Sequence, residues 1–192
     1  AREDEAIKCF DKATMINLNF EGAWFALGEL YLGKKLIDEA LRAFERTVDI
    51  NIDNLRAWQY RGEVLYALGR HMDALPCFDR VLKGEPKNVE AWNNKGNALY
   101  KLEQLPEAIQ CYDKALALKP KLEQALQNKA TALRTLGKDE EAIKVYDILL
   151  RIRPEDDTLW RSKGEILRKI NKVQDASICY NKILRLKPKD ED

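Results

Sequence analysis

The side chains in this 192-residue chain that could act on a substrate or hold a metal are four cysteines, one histidine and 32 carboxylates. Cys9, Cys77, Cys111 and Cys179 include no C-x-x-C pair, the arrangement that zinc ribbons and thiol redox sites use to bring two sulfurs onto one centre. His71 is the only imidazole, so a three-ligand metal site or a nucleophile–base–orienter set lacks its usual supply. It stands at the turn before a helix, where a capping or solvent-facing role is expected. Glycines occur singly, which gives no phosphate-cradling loop. The carboxylates are interleaved with Lys and Arg in the manner of exposed helical ion pairs. These patterns predict no enzyme: no catalytic residue, no metal and no cofactor.

A repeat organises the rest of the chain. Trp24, Trp58, Trp92 and Trp160 are spaced by 34, 34 and 68 residues, with Leu126 in the vacant place. Pro86, Pro120, Pro154 and Pro188 also fall 34 apart. Counting from Glu21, Leu55, Val89, Glu123 and Asp157, the eighth position is always small, reading Gly28, Gly62, Gly96, Ala130 and Gly164. The twentieth is alanine throughout (Ala40, Ala74, Ala108, Ala142, Ala176), and the twenty-fourth is aromatic (Phe44, Phe78, Tyr112, Tyr146, Tyr180). Small residues at fixed helical positions let two helices approach closely, and the apolar spacing in between predicts two amphipathic helices per period. The cysteines share the twenty-third position with Ala43 and Val145. They are expected to be reduced, packed substitutes for a small apolar residue, because layers about 8–10 Å apart hold them beyond disulfide reach.

The pattern of Trp, a small residue, Ala, an aromatic and a closing Pro resembles the tetratricopeptide repeat. The resemblance implies an all-α fold, a right-handed superhelical solenoid of antiparallel helix hairpins. Residues 1–192 then read as one array, with residues 1–20 as the second helix of a truncated repeat and 21–54, 55–88, 89–122, 123–156 and 157–190 as full repeats. Turns containing LGR, LEQLP, LGK and INK join the helices of a pair. In the first repeat the turn reads GKKLI, without the usual Gly, and Ile52 stands in for the closing Pro. Pro106 suits the first turn of its helix. Pro76 lies further in and is expected to shorten or bend its helix start.

Composition narrows the partner. Basic and acidic residues number 33 and 32, so the net charge of +1 provides no global attraction to nucleic acid or to an anionic membrane. No apolar run reaches the length of a membrane span, and the start AREDEAIKCF lacks the features of a signal peptide. A cytoplasmic location is expected.

Function is therefore expected to reside in a surface. The resemblance implies a concave face lined by the first helix of each hairpin, with recognition by its second, fifth, sixth, ninth, twelfth and thirteenth positions. In this sequence the candidate peptide-binding residues are Phe25, Tyr60, Tyr66, Asn94, Asn97, Lys101, Asn128, Arg134, Arg161, Arg168 and Lys169. They run from apolar through amide to basic. Amides offer donor and acceptor to an extended peptide backbone, and arginines suit carboxylates. Against this stands mutual neutralisation of Arg161, Glu165 and Lys169 along one helix face. Some relatives hold a heat-shock protein carboxylate with Lys, Asn, Asn, Lys and Arg. Here those places read Asn93, Asn97, Asn128, Glu165 and Lys169, and the charge reversal at Glu165 argues against that partner.

The expected function is a protein–protein interaction scaffold that binds an extended peptide or partner helix, including one with an acidic segment. The groove would be apolar in its N-terminal half and basic in its C-terminal half. A second expectation is the regulatory or targeting arm of a larger enzyme or complex, since the first residue falls mid-repeat. End-to-end self-association through uncapped terminal helices is a further expectation.

Overall fold

The computed structural model describes residues 2–186; Pro188 lies outside the described residues. Among the described residues there are eleven α-helices and no strand. They are α1 (Arg2–Ile16), α2 (Glu21–Gly33), α3 (Ile37–Ile50), α4 (Leu55–Ala67), α5 (His71–Gly84) and α6 (Val89–Lys101). Then come α7 (Leu105–Leu118), α8 (Glu123–Thr135), α9 (Asp139–Ile152), α10 (Asp157–Lys169) and α11 (Val173–Leu186). The chain divides into two compact units, Ala1–Leu102 and Glu103–Asp192. Within the first, each helix from α1 to α6 packs on the next, and the first helices α4 and α6 also meet. Within the second, α7 to α11 pack in the same successive order.

The close helix pairs rest on the small eighth position. A Cβ added to Gly28 would lie 2.5 Å from a ring carbon of Phe44, and one added to Gly62 would lie 2.8 Å from Phe78. Phe44 and Phe78 are wholly buried. At Gly164 the corresponding ring is Tyr180, 3.0 Å away and only half-buried. Ala130 occupies the same place in the second unit and shares a core with Tyr146. The alanines at the twentieth position, Ala40, Ala74, Ala108, Ala142 and Ala176, are all buried.

The tryptophans tie the loop that precedes each first helix. Trp24 Nε1 donates to the Leu18 carbonyl at 3.0 Å, Trp58 to Ile52 at 2.8 Å, Trp92 to Pro86 at 2.9 Å and Trp160 to Pro154 at 2.8 Å. Leu126 keeps the apolar contact and loses the donor. Asn54, Asn88 and Asp156 cap the helices that follow by accepting from backbone N–H groups of their first turns.

An ion pair recurs at the same period. Glu45–Arg61 (3.6 Å), Asp79–Lys95 (2.5 Å), Asp113–Lys129 (2.6 Å) and Asp147–Lys163 (2.6 Å) each join a second helix to the next first helix. Partly exposed pairs of this kind contribute about 0.2–1 kcal/mol each, so they set register more than stability.

Each hairpin turn places one residue in the left-handed region: Lys35 (φ 60°), Gly69 (75°), Glu103 (61°), Gly137 (77°) and Asn171 (63°). The first repeat thus makes its turn without glycine at this position. The turn closes with Leu36 N–H donating to the Tyr31 carbonyl at 2.9 Å, as Arg70 does to Leu65, Lys138 to Leu133 and Lys172 to Leu167.

Two expectations need correction. Pro76 does not shorten its helix: α5 starts at His71, in step with Ile37, Leu105, Asp139 and Val173. Pro76 removes only its own bond to the carbonyl of Met72, and the helix runs on through it. Cys9 is exposed, unlike Cys77, Cys111 and Cys179. For Cys77 the packed, reduced reading holds, and burial pushes its thiol up to about 11.

Two substitutions test this account through urea midpoints. Gly28→Ala is expected to destabilise by about 1–3 kcal/mol through overpacking against Phe44, and Gly164→Ala by less, since Tyr180 has room to move. Lys35→Gly, which relieves a left-handed side chain, is expected to stabilise by about 0.5–1 kcal/mol; a midpoint that falls would contradict it.

Candidate functional site

In the first unit the face formed by α2, α4 and α6 is built on aromatic packing. Phe25 meets Phe44 and Tyr60 edge to face, with ring centres 5.8 Å apart in each case, and Tyr60 stacks on Phe44 at 5.1 Å. Phe25 and Tyr60 are half-buried, with one side in the core and one side open. The Arg56 guanidinium lies 4.9 Å over the Phe25 ring and pairs with Glu29 at 3.1 Å. Tyr66 packs on His71, ring centres 5.0 Å apart. His71, half-buried, thus stands against an aromatic of this face.

Glu63 stands between these aromatics and the amides. Gln59 Nε2 and Asn94 Nδ2 both donate to its Oε1, at 2.5 and 3.0 Å. Its carboxyl is raised above the ordinary range, first by burial and then by the nearby charge of Glu90, against the lowering effect of the two amides. Two hollows flank it. One, of about 250 Å³, lies among Arg56, Gln59, Tyr60, Glu85 and Glu90; the other, of about 60 Å³, is lined by Tyr66, Phe78, Asn94 and Asn97. Asn94 thus reaches the face with its amide group already turned toward Glu63. Lys101 is exposed at the end of α6.

Asn93 departs from the expected inner stripe: it is 8% exposed.

In the second unit the corresponding face belongs to α8 and α10. Asn128 Oδ1 accepts from Gln124 Nε2 at 3.1 Å. Lys169 pairs with Asp139 at 2.7 Å, and Arg161 lies 3.9 Å from Asp157. The expected neutralisation by Glu165 is replaced by these two acids. Arg134 and Arg168 occupy the same repeat position on α8 and α10, are exposed, and form no ion pair among the described residues.

The expectation that the carboxylates all lie on solvated faces is corrected by Glu63 and by Asp139, which is 9% exposed. A signal for Asp139 exists: its seventeenth position otherwise reads Ile37, His71, Leu105 and Val173, and an acid in a mainly apolar lattice requires a cation. Glu63 left no such mark, since Glu29 and Glu165 hold the same position and are exposed. Among the described residues no group of three or more His, Cys, Asp and Glu could hold a metal ion. No described helix is long and apolar enough to cross a membrane.

Glu63 provides a pH test. A carboxyl raised in the folded state favours folding while protonated, and that contribution is lost as pH rises through the folded-state value. Glu63→Gln is accordingly expected to be more stable than the parent at pH 7, with the difference closing toward pH 3. Thermal midpoints across that range check it; a variant less stable at pH 7 would show that the charge is better compensated than burial implies.

The fold has counterparts. A family model described as Tetratricopeptide repeat matches residues 60–123 and 128–191, and a second of the same description matches residues 21–53. No curated protein sequence matches the chain significantly. Among solved structures, MamA from Desulfovibrio magneticus is 20% identical with a TM-score of 0.80, over 90% of this chain and 97% of that one. YrrB, titled a TPR protein with an unusual peptide-binding site, is 18% identical with a TM-score of 0.79, over 94% and 93%. PilW, a type IV pilus biogenesis factor, is 21% identical with a TM-score of 0.77, over 98% and 88%. These likenesses agree on a helical-hairpin fold, and with the matched repeats covering most of its length the chain belongs to the tetratricopeptide repeat family.

Proposed function

We propose that this chain is a protein-interaction scaffold that binds an extended segment of a partner protein along its first helices, by contact and not by catalysis. The observation that carries the reading is the pair Arg134 and Arg168, exposed at equivalent positions of α8 and α10 and without an ion pair among the described residues, while Arg161 and Lys169 beside them have acids in reach. Unpaired guanidinium groups on one face are suited to carboxylates of a partner, which they can hold bidentately. Asn128 lies on the same helix as Arg134 and would supply polar contact to the segment's backbone.

In the first unit Phe25, Tyr60 and Tyr66 offer half-exposed rings, and Asn94, Asn97 and Lys101 follow along α6. Apolar anchors joined to backbone hydrogen bonds are the usual means by which an extended peptide is held. The peptide-binding site named for YrrB, which shares the fold, is consistent with this use.

Binding of a fluorescent Glu-rich 12-residue peptide, followed by anisotropy, tests the reading. Arg134→Glu/Arg168→Glu is expected to weaken it by about tenfold or more and to flatten its salt dependence. Both positions are exposed, so the fold should hold. Equal affinity in the double variant would remove these arginines, and with them the acidic-segment reading.

A further inference from the structure

The hollow of about 250 Å³ in the first unit has a chemistry opposite to that of the arginine pair. Its lining contains three carboxylates, Glu63, Glu85 and Glu90, and a single cation, Arg56. Arg56 is already engaged, paired with Glu29 and laid over the Phe25 ring. Among the described residues none of the three carboxylates forms an ion pair.

The Glu63 carboxylate is also held in a defined direction. Both amide donors, Gln59 and Asn94, reach the same oxygen, Oε1. Oε2 accepts no hydrogen bond among the described residues and is not shut off from solvent. A half-buried carboxylate with one oxygen anchored and the other open, flanked by two further acids and by the Tyr60 ring, lacks one complement: a cation with donors to give. Burial has already removed part of the water that would otherwise stabilise its charge.

We propose that this hollow receives a lysine or arginine side chain of the partner segment, its charged group bonded to Glu63 Oε2 within reach of Glu85 and Glu90 and its methylenes along Tyr60. The proposal rests on the groove-binding reading above and adds a basic anchor to it. The hollow's volume exceeds that of one such side chain, and the aromatic wall suits an aliphatic stem that carries a charge at its end. A carboxylate in the same place would be repelled by three others, so the site selects as well as binds.

The test uses host peptides of 12 residues, built from Ala, Ser and Asn with two Leu, that differ at one central position: Lys, Arg, norleucine or Glu. Each is titrated into the ¹⁵N-labelled chain. The side-chain amide signals of Gln59 and Asn94 report the hollow, and backbone signals of Phe25 and Tyr66 report the face. Lys and Arg peptides are expected to shift the amide signals of Gln59 and Asn94 and to bind about tenfold tighter than the norleucine peptide, with the Glu peptide weakest. Glu63→Gln is expected to erase that preference. Glu85→Gln/Glu90→Gln, at exposed positions where folding is not at stake, is expected to reduce it several-fold.

If the peptides shift Phe25 and Tyr66 but Lys and norleucine bind alike, the basic anchor is overturned and the groove reading stands. A Lys preference that survives in Glu63→Gln also overturns it. If no peptide shifts the face at any concentration reached while the Glu-rich peptide still binds, the basic anchor is overturned and the acidic-segment reading stands; if the Glu-rich peptide fails as well, both readings fall.

Discussion

The approach of an aromatic ring to a helix backbone at a residue with no side chain, or only a methyl, is the constraint on which the rest depends. Phe44 over Gly28 and Phe78 over Gly62 leave no space for a Cβ. That contact sets the distance between the helices of a hairpin. It also decides which residues of a first helix point outward, since the side carrying Gly28 or Gly62 is committed to the ring. Phe25, Tyr60 and Glu63 reach the exposed face because the small residues between them are turned away. A side chain at the eighth position would separate the helices and tilt that face.

Once the hairpin is fixed, the joints between hairpins are made by a few polar contacts repeated with the lattice. The indole donor fastens the incoming loop, the capping Asn or Asp begins the helix, and the acid–base pair from second helix to next first helix sets the register. The cation of that pair also lies over the indole, as with Lys95 and Trp92 at 6.0 Å and Lys163 and Trp160 at 5.8 Å. In the repeat with Leu126 the pair Asp113–Lys129 persists without an indole. The register contact and the loop contact are thus separable.

Helix positions were legible in the sequence because packing demands size and apolarity at fixed intervals, and a period of 34 residues repeats those demands often enough to be read. Positive φ was less legible. Gly69 and Gly137 announce a left-handed turn, whereas Lys35 and Glu103 adopt the same conformation with side chains that suit a helix equally well. Pro76 misled for a related reason: its cost depends on where one carbonyl points, and its helix starts in step with the others. Residues at the face were legible as types and positions, but their hydrogen bonds were not. Asn94 and Asn97 read as equivalent amides, and only the fold shows that Asn94 is turned toward Glu63.

Charge on such faces depends on pairing more than on composition. Counting side chains makes α10 strongly basic, with Arg161, Lys163, Arg168 and Lys169. Asp147 takes Lys163, Asp139 takes Lys169, and Asp157 stands near Arg161, which leaves Arg168 as the cation of that helix without a described partner. The same accounting works in reverse in the first unit, where Arg56 is held by Glu29 and three carboxylates in its neighbourhood form no ion pair among the described residues. A chain of nearly zero net charge can thereby present local surfaces of opposite sign, because each acid or base that the repeat uses for its own register is withdrawn from recognition. The charged side chains that the lattice leaves unpaired are found by following ion pairs and not by summing residues.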